Sequence, residues 1–560
     1  MPTSRIGSSP APSASEAIFV YTGKTQTTVA VGDEVQVTGT ADEYRGRTQI
    51  SGKIEVTPLN EGLEPVRPLT MDWASTDGKR ENLESMLYLP NEKFLVSDVY
   101  PVGRYGEIGL ASGKQLPTQP TDIARPTSPE AKAQAERNDA ISVILDDGTG
   151  QGFAASPTLD PRPVPYIDPE DPIDVGDSAH ITEPVIIDYR YDTWRLQPTR
   201  PITDGDEPAR FHGRAHPVPK PGGQISIASF NVLNYFTTTG DELGCKGGNY
   251  STDGTNNVAG NPCDVRGVFD RDDLHRQQAK TVAAINRLDA SVVGLMEMEN
   301  SAKLGEGKDE ATKNLVAALN KDAGYAKWDY IEIPDSELPA IEDQDFITNA
   351  IIYQPAEARP TGHVQALDEE AGDNGAFHNA RTPIAATFTA VKSGKKAVPT
   401  TVVVNHFKSK GSAPKAGPNK DQGDGQGNWN AARIEQAQAL VDWTPQLVRD
   451  SGSADIAMLG DFNSYAQEDP MHVLYGAHYR PAATGEFSYV FGGQVGSLDH
   501  LLLSPSLAAR MTGADVWNIN SVQSPLLQYA QYRTVGEDFY RPDATAFSDH
   551  DPYIAGFRAK

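Results

Sequence analysis

The alternation of short apolar runs with helical patterns from residue 224 onward constrains the fold of this chain more than any other feature. Two stretches, 271–288 and 428–448, place apolar side chains near helical spacing. Apolar runs typical of buried strands separate them, and this alternation predicts an α/β fold. The predicted strands are 224–232, 290–298, 350–354, 384–390, 400–407, 455–463 and 498–503.

Polar side chains cluster at the edges of these apolar runs. Ligands of open α/β sheets gather at strand ends, so six such clusters predict one shared site. The residues in the clusters are Asn231, Glu297, Asn405, His406, Lys408, Asp461, Asn463, Asp499, Asp549 and His550.

The residue types in these clusters suit the hydrolysis of a phosphate ester. A neutral imidazole accepts a proton from water near neutral pH, and a carboxylate improves this by fixing its tautomer. His550 and Asp499 are the predicted pair. Hard cations such as Mg²⁺, Mn²⁺ or Ca²⁺ prefer oxygen ligands and neutralise phosphate charge. The oxygen ligands on offer are Glu297, Asp549, Asn231 and Asn463.

The motifs over 224–560 closely resemble those of the endonuclease/exonuclease/phosphatase superfamily. In order they are SFN, GLMEMEN, Arg381-x-Pro383, NHFKSKG, GDFN, LDH and SDHDP. Several motifs in order are more specific than any single short pattern. The resemblance implies a four-layer α/β sandwich, in which helices flank two packed mixed β-sheets. NHFKSKG, the WNAAR element (429–433) and the cysteine pair look like the bacterial extracellular nuclease subgroup.

The resemblance also implies a role for each matching residue. It makes His550 the general base, oriented by Asp499, and it places His406 on the scissile phosphate or the leaving group. It makes Glu297 the main metal ligand. It places Asn231 and Asp549 near the metal. Asp461 and Asn463 would bind a second ion or orient phosphate and water, and Arg381 would contact the substrate backbone. The superfamily's deoxyribonucleases pair the first His with a Glu; here Asp345 is the nearest candidate, so the partner of His406 stays open.

The formal net charge of −27 prevents the chain from holding a polyanion by bulk electrostatics. Local positive charge is therefore needed. A Gly/Pro-rich loop after His406 supplies it, with no acidic residue before Asp421. We predict that this loop docks a phosphate backbone, with a solvated flexible loop as the alternative. Its lysines are Lys408, Lys410, Lys415 and Lys420, and Asn405, Lys408, Lys410 and Arg381 are the predicted substrate-binding residues.

The sequence before the nuclease-like region predicts a different architecture. Residues 1–15 are predicted to be disordered, 16–200 to be rich in short strands, and 201–223 to be a linker. The pattern VGDEVQVTGTADEYRGRTQI (31–50) is echoed at 175–196. This region resembles the oligonucleotide-binding-fold (OB-type) modules that precede the nuclease domain in the extracellular subgroup, with a truncated start. Its aromatic residues either stack on bases or fill a core; they are Tyr44, Tyr189, Tyr191 and Trp194.

The two cysteines, Cys245 and Cys263, predict a disulfide that stabilises the fold by roughly 3 kcal/mol in the loop-entropy model. A disulfide favours an exported protein, although the first residues lack the apolar core of a signal peptide. No apolar run is long enough to span a membrane. The oligomeric state stays open.

Together these features predict a secreted, nonspecific, metal-dependent endonuclease acting on DNA, with RNA as an open second substrate. Mg²⁺ is the expected cofactor, with Mn²⁺ or Ca²⁺ as alternatives. Two other functions remain. One is a phosphomonoesterase or phospholipid phosphodiesterase of the same superfamily, and the other is a catalytically silent protein that binds extracellular DNA.

Overall fold

The computed structural model describes residues 12–23, 28–59, 62, 64–149, 152, 164–168, 170–202, 207–245, 258–259, 263–391, 397–530 and 538–560. Most of the segment predicted to be disordered, 1–11, lies outside them. The chain forms two compact units, which comprise 1–117, 136–154 and 161–214, and 118–135, 155–160 and 215–560. The linker predicted at 201–223 and the start of the nuclease-like domain predicted at 224 stay predictions. None of the helices described is both long and apolar enough to cross a membrane.

The first unit is rich in strands, as its sequence predicts. A three-stranded sheet has the order Phe19–Val20, Arg47–Pro58, Val35–Tyr44. A nine-stranded sheet has the order Ala209–His212, Ser178–Ile181, Phe94–Asp98, Ile108–Ser112, Ser142–Leu145, Thr193–Pro198, Val185–Arg190, Leu87–Pro90, Leu69–Met71. The short helices Asp77–Glu81 and Val102–Tyr105 also belong to this unit.

Each copy of the echoed sequence pattern contains a β-hairpin. In the first copy the turn residues are 45–46, and in the second they are 191–192. All four turn residues have φ between 52° and 79°, in the left-handed region. Two successive left-handed residues match the twist of the flanking strands, so each echo encodes a tight hairpin.

One helix in the N-terminal half, Pro129–Ile141, was not expected from the sequence. Its residues, PEAKAQAERNDAI, are mostly good helix formers. They form no apolar stripe, and for that reason a search for helical spacing of apolar residues misses this helix.

The second unit consists of mixed sheets and helices and is therefore α/β. One sheet has the order Asp329–Tyr330, Ile347–Tyr353, Val292–Glu299, Ile225–Tyr235, Tyr553–Phe557, Met511–Val516. The other has the order Ala358–Pro360, Arg381–Ala390, Thr400–His406, Ile456–Asp461, Asp499–Leu503, Arg480–Pro481, with Gln365–Ala366 beside Arg381–Ala390. Two small hairpins pair Val258–Ala259 with Gly267–Val268 and Tyr489–Phe491 with Gln494–Gly496.

The helices of the second unit include the two that were predicted, Arg271–Leu288 and Asn430–Ser451. Its other α-helices are Pro120–Ile123, Glu310–Ala323, Asp469–Gly476 and Pro505–Ala508. The 3₁₀ turns are Ser301–Leu304, Asp335–Glu337, Ile341–Asp343, Asp368–Glu370 and Pro525–Leu527.

Apolar side chains of this unit form three buried clusters. One contains Ile227 of the first sheet and Val404 of the second, so the two sheets share a core. A second joins the first sheet to the helix Arg271–Leu288, and a third joins the second sheet to the helix Asn430–Ser451. Burial on both faces explains why these strands have almost continuous apolar sequences.

An early segment, residues 118–123, also packs within the second unit. The carboxylate of Asp122 accepts hydrogen bonds from the backbone N–H of Ala466 at 3.1 Å and of Ser497 at 3.2 Å. Ala466 closely follows the GDFN cluster, and Ser497 closely precedes the LDH cluster. The segment therefore fixes two loops that carry predicted site residues.

Candidate active site

Four predicted site residues lie in one row across four adjacent strands of the second sheet. Arg381 is the register partner of His406, and His406 is the register partner of Asp461. Asp461 is in turn the partner of Asp499. Adjacent strands are about 4.8 Å apart, so the sheet brings together residues that are separated by more than a hundred positions in the chain.

His550 is fixed by a chain of hydrogen bonds. Its Nδ1 lies 2.6 Å from Oδ2 of Asp499, and that oxygen also accepts a 2.8 Å hydrogen bond from the hydroxyl of Ser488. The ring of Tyr489 packs at 4.7 Å from the imidazole, centroid to centroid. Because the charged carboxylate accepts from Nδ1–H, the other ring nitrogen, Nε2, is left to face the site.

Both imidazoles approach the same oxygen atom. Nε2 of His406 lies 3.3 Å from Oδ2 of Asp461, and Nε2 of His550 lies 4.0 Å from it. Asn463 holds this carboxylate, since its backbone N–H donates to Oδ1 at 2.7 Å and its side-chain amide donates to Oδ2 at 3.0 Å. One phosphate group can therefore contact both histidines.

Glu297 leaves its strand at a bulge. The strand Val292–Glu299 has irregular pairing around this residue, and Glu297 has a φ of 63°. A left-handed backbone is uncommon for a residue with a side chain and marks a constrained position. Met296 and Met298 on either side are both buried. The bulge thus lets Glu297 turn toward His406, whose Nε2 lies 4.0 Å from Oε1 of Glu297.

The carboxylate of Glu297 is held by the strand Ile225–Tyr235. The side-chain amide of Asn231 donates to Oε1 at 3.1 Å, and the backbone N–H of Asn234 donates to Oε2 at 3.0 Å. The Oδ1 of Asn231 accepts from the backbone N–H of Leu233 at 3.0 Å. Each of these oxygens keeps a lone pair for a cation.

The two histidines have opposite electrostatic environments. Burial, together with the nearby charges of Arg381, His550, Arg266 and Lys408, lowers the pKa of His406 well below its ordinary value. Burial alone would also lower the pKa of His550. The carboxylates around it, those of Asp499, Asp549 and Asp461, outweigh burial and raise its pKa well above the ordinary value. The carboxylates therefore stabilise the imidazolium that forms when His550 takes up a proton, whereas His406 is held neutral.

The carboxyl groups of the site are crowded. Burial, and then the charge of Asp549, raises the pKa of Glu297. Burial raises the pKa of Asp461 to about 7; the charge of His550 opposes this rise, and the charge of Asp499 adds to it. Buried carboxylates close together repel one another, and a bound cation offsets this repulsion.

The oxygen donors around Glu297 fit a hard divalent cation. Glu297, Asp549 and Asn231 offer carboxylate and amide oxygens, which are the ligands that Mg²⁺, Mn²⁺ and Ca²⁺ prefer. A second group, Asp461, Asp499 and His550, has ligand atoms within 4.8 Å of one another. His550 and Asp499 already share a short hydrogen bond, so this group is better suited to hold a proton than an ion.

Arg381 and Asn405 lie on the His406 side of the site. Arg381 is buried, and its Nε has no hydrogen-bond partner among the described residues. The side-chain amide of Asn405 donates to the backbone carbonyl of Leu459 at 2.8 Å, while its Oδ1 likewise has no partner in the described part of the chain. Both side chains therefore have capacity left for a ligand.

The two lysines predicted to bind substrate differ. The half-buried ammonium of Lys408 lies 5.1 Å from the centre of the Trp429 ring, and no carboxylate among the described residues lies within salt-bridge distance of it. The ammonium of Lys410 donates to both oxygens of buried Glu468 and to the carbonyl of Gln426, each at 2.7 Å. Its three N–H groups are used, which argues against the predicted contact between Lys410 and substrate.

Three further residues show what the sequence motifs could and could not assign. Asp345, the candidate partner of His406, bonds Arg266 at 3.2 Å, and Asp461 is the carboxylate closest to His406. His500 is buried against the carbonyl of Ser464 at 2.8 Å, as expected for a structural residue. Arg266 was not singled out from the sequence, because no predicted strand end precedes it.

Glu299 is buried, and its carboxylate is bonded to the backbone. It accepts hydrogen bonds from the backbone N–H of Thr237 at 2.8 Å and of Thr238 at 2.7 Å. The predicted disulfide between Cys245 and Cys263 is present, with 5.6 Å between the two Cα atoms.

No family model matches the chain, and no curated protein matches it. Among solved structures, an endonuclease/exonuclease/phosphatase family protein from Bacteroides thetaiotaomicron is 16% identical, with a TM-score of 0.36, over 59% of this chain and 96% of that one. The human nocturnin catalytic domain is 12% identical, with a TM-score of 0.34, over 60% and 95%. D. rerio TDP2 complexed with a single-strand DNA product is 12% identical, with a TM-score of 0.33, over 59% and 97%. Similarity at this level does not assign a function to this chain.

Proposed function

We propose that this chain is a metal-dependent phosphodiesterase that hydrolyses nucleic acid. One observation carries the proposal. Arg381, His406, Asp461 and Asp499 form a single row across four strands, and His550 is bonded to the end of that row. One phosphate group can then contact a proton acceptor (His550), a neutral imidazole (His406) and a buried guanidinium (Arg381).

His550 is the general base in this proposal. Nε2 of His550 takes a proton from water while the water oxygen bonds to phosphorus, and Asp499 stabilises the resulting imidazolium. The bond between phosphorus and the leaving oxygen breaks while neutral His406 donates a hydrogen bond to that oxygen from Nε2. The leaving oxygen takes a proton from solvent, and His550 later releases its own proton to solvent. Arg381 neutralises charge on the phosphate oxygens.

Glu297, with Asn231 and Asp549, would hold the divalent cation, Mg²⁺ in the first instance. When bound, the cation supplies positive charge to the phosphate oxygens and to the developing alkoxide. Asp461 and Asn463 orient phosphate and water, or hold a second ion. The raised pKa of Glu297, from burial and then from Asp549, supports a site that gains from added positive charge.

DNA is the proposed substrate, with RNA as the second. The ammonium of Lys408, near Arg381, has no carboxylate partner among the described residues, which supports a polyanionic substrate on a chain of net charge −27. The disulfide supports secretion. The core shared by the two sheets, with helices packed on each, supports the four-layer sandwich. The strand-rich first unit, with exposed Tyr44 and Tyr191, supports OB-type modules upstream.

The test is digestion of plasmid DNA and RNA with Mg²⁺, Mn²⁺ or Ca²⁺, each with and without a chelator. We expect cleavage that the chelator abolishes and that Glu297→Gln lowers by orders of magnitude. His363→Ala is the matched control, because this exposed histidine lies outside the row. Persistence of both nucleic acids with every ion would reject the proposal. Faster hydrolysis of p-nitrophenyl phosphate than of DNA would indicate a phosphomonoesterase, and faster hydrolysis of sphingomyelin would indicate a phospholipid phosphodiesterase.

A further inference from the structure

Arg266 is held in a fixed position beside the candidate site. Val265 before it is fully buried, and Gly267 after it has a φ of 83°. A side chain on Gly267 would collide with the hydroxyl of Tyr529, whose oxygen would be 2.8 Å from the added carbon. The disulfide at Cys263 anchors the same short stretch of chain. The backbone of Arg266 is therefore constrained on both sides.

The side chain of Arg266 reaches Asp345. Its Nη2 donates to Oδ1 of Asp345 at 3.2 Å, and the two side chains are 42% and 24% exposed. An ion pair this accessible stabilises the fold only weakly, and its arginine remains available to another anion. Asp345 also influences Arg381, since after burial its charge has the largest effect on the pKa of that guanidinium.

Lys408 completes a group of three cations near Asp345. Lys408 follows by two residues His406, the register partner of Arg381, and Arg266 is bonded to Asp345 at 3.2 Å. In keeping with this placement, the charges of Arg381, Asp345 and Arg266 act, after burial, on the pKa of Lys408. Its backbone N–H donates to the side chain of Gln436 at 3.0 Å, and its carbonyl accepts from Arg433 at 3.2 Å. Lys408 is thus fixed in position, while its ammonium has no carboxylate partner within the described residues.

We propose that Arg266 and Lys408 form a subsite for a second phosphate, next to the phosphate held by Arg381 and His406. The inference rests on the proposed function and narrows its substrate class. Buried Arg381, with Nε unpaired, serves the scissile phosphate, whereas the more accessible Arg266 and Lys408 serve its neighbour on the same strand. The substrate is then a polynucleotide with consecutive phosphates, and an ester with one phosphate uses only half of the site.

The charge balance of the chain makes such a subsite necessary. With a formal charge of −27, the protein repels a polyanion at long range. Binding must come from contacts at short range, and a guanidinium binds phosphate through a planar fork of N–H donors. Arg266 is paired with Asp345, and no carboxylate among the described residues lies within salt-bridge distance of Lys408, so local positive charge is left for the nucleic acid.

The experiment compares two ligands on the full-length chain. In the presence of Mg²⁺, fluorescence anisotropy measures binding of a labelled ten-nucleotide single-stranded DNA and of a labelled dinucleotide with one internal phosphate. The background variant is His550→Ala, so that neither ligand is cut. The variants added to it are Arg266→Ala and Lys408→Met. Arg271→Ala is the matched control, because Arg271 is also an exposed arginine in an ion pair.

We expect Arg266→Ala and Lys408→Met each to raise the Kd for the ten-nucleotide DNA about tenfold, the typical worth of a charge-assisted hydrogen bond. The Kd for the dinucleotide should change less than about twofold, as should both values for Arg271→Ala. Equal weakening of both ligands, or no weakening of the longer one, would overturn the inference. Cleavage with the unmodified residue at 550 is assayed in parallel, so a chain that binds as expected but cuts nothing refutes the proposed function alone.

Discussion

The two sides of the candidate site are built differently. On the His550 side, Oδ2 of Asp499 accepts from both the imidazole and the hydroxyl of Ser488, and the backbone N–H of Asp499 donates to that hydroxyl at 3.2 Å. The protein itself therefore completes the hydrogen bonding on this side. A general base set up in this way is oriented before any substrate arrives.

On the His406 side, several buried polar atoms have no partner among the described residues. They are Nδ1 of His406, Nε of Arg381 and Oδ1 of Asn405. Leaving such an atom unsatisfied costs about 1–3 kcal/mol, which a folded protein tolerates where a ligand or water completes the bonding. The comparison shows one side with its hydrogen bonds completed by the protein and the other with unsatisfied buried polar atoms. Under the proposed function, the first side holds the general base and the second receives the phosphate.

Replacing His550 by Ala tests the fixed side most severely. Because no other imidazole is bonded to Asp499, we expect kcat on DNA to fall by about 10²–10⁴-fold, the usual contribution of a general base. Rates of plasmid cleavage at saturating DNA measure this, with His363→Ala unchanged. A loss below tenfold would remove His550 from the proposed role.

Replacing Arg381 by Met tests whether this side chain binds phosphate or only supports the packing of the core. We expect kcat/KM on DNA to fall about tenfold to a hundredfold, because a charge-assisted contact to phosphate is lost. The free energy of unfolding should change by less than about 1 kcal/mol or rise, since the change removes a buried charge whose Nε has no hydrogen-bond partner among the described residues. Urea denaturation and initial rates measure the two effects.

Arg433→Met is the matched control for this prediction. Arg433 is also buried, but it donates to the carbonyls of Lys408, Asn428 and Gln426. Its loss should reduce the free energy of unfolding by at least about 3 kcal/mol, because buried groups lose their partner. Equal destabilisation by Arg381→Met would show that Arg381 supports the fold and is no receptor.

Ser488→Ala should have a smaller effect on the fixed side. Removing the hydroxyl deprives Asp499 of one donor, and a net hydrogen bond of about 1 kcal/mol corresponds to roughly a fivefold loss in kcat. Initial rates at saturating DNA test this, with Ser506→Ala, an exposed serine, as control. An unchanged rate would show that the contact with His550 alone orients Asp499.

The smallest effect is expected for Lys415 and Lys420, the two exposed lysines of the loop that follows His406. Lys415→Ala and Lys420→Ala should each reduce the slope of log affinity against log salt by about 1, as for the loss of one phosphate contact. Binding of DNA at several salt concentrations measures the slope, with exposed Lys321→Ala unchanged. A constant slope in all three would make this loop a solvated surface without a role in binding.

Much of the core of the second unit could be predicted from the sequence. Helix Arg271–Leu288 has the predicted bounds, and strands Thr400–His406 and Asp499–Leu503 begin or end within one residue of prediction. These strands are apolar on both faces, so each polar residue at their ends is conspicuous. His406, Asp461 and Asp499 follow from that contrast together with the tendency of sites to form at strand ends. Arg381 does not, because the predicted strand begins at 384, and only the resemblance implies a role for it.

The remaining features depend on contacts between distant residues, which a single sequence does not display. Lys408 and Lys410 belong to one run of lysines, yet only Lys410 meets Glu468, 58 positions later. Arg266 gains its place through Asp345. The left-handed backbone that directs Glu297 arises from irregular pairing with two neighbouring strands. None of these pairings has a local sequence signature.

The placement of Asp122 has a consequence for evolution and for protein engineering. The residue emerges from the ribosome more than 300 positions before the two loops whose amides it caps, so Asp122 gains these partners only late in synthesis. A single genetic crossover near residue 215 would transfer all the proposed catalytic side chains but leave this cap behind. A transplanted nuclease module would therefore need residues 118–123 supplied from its new host.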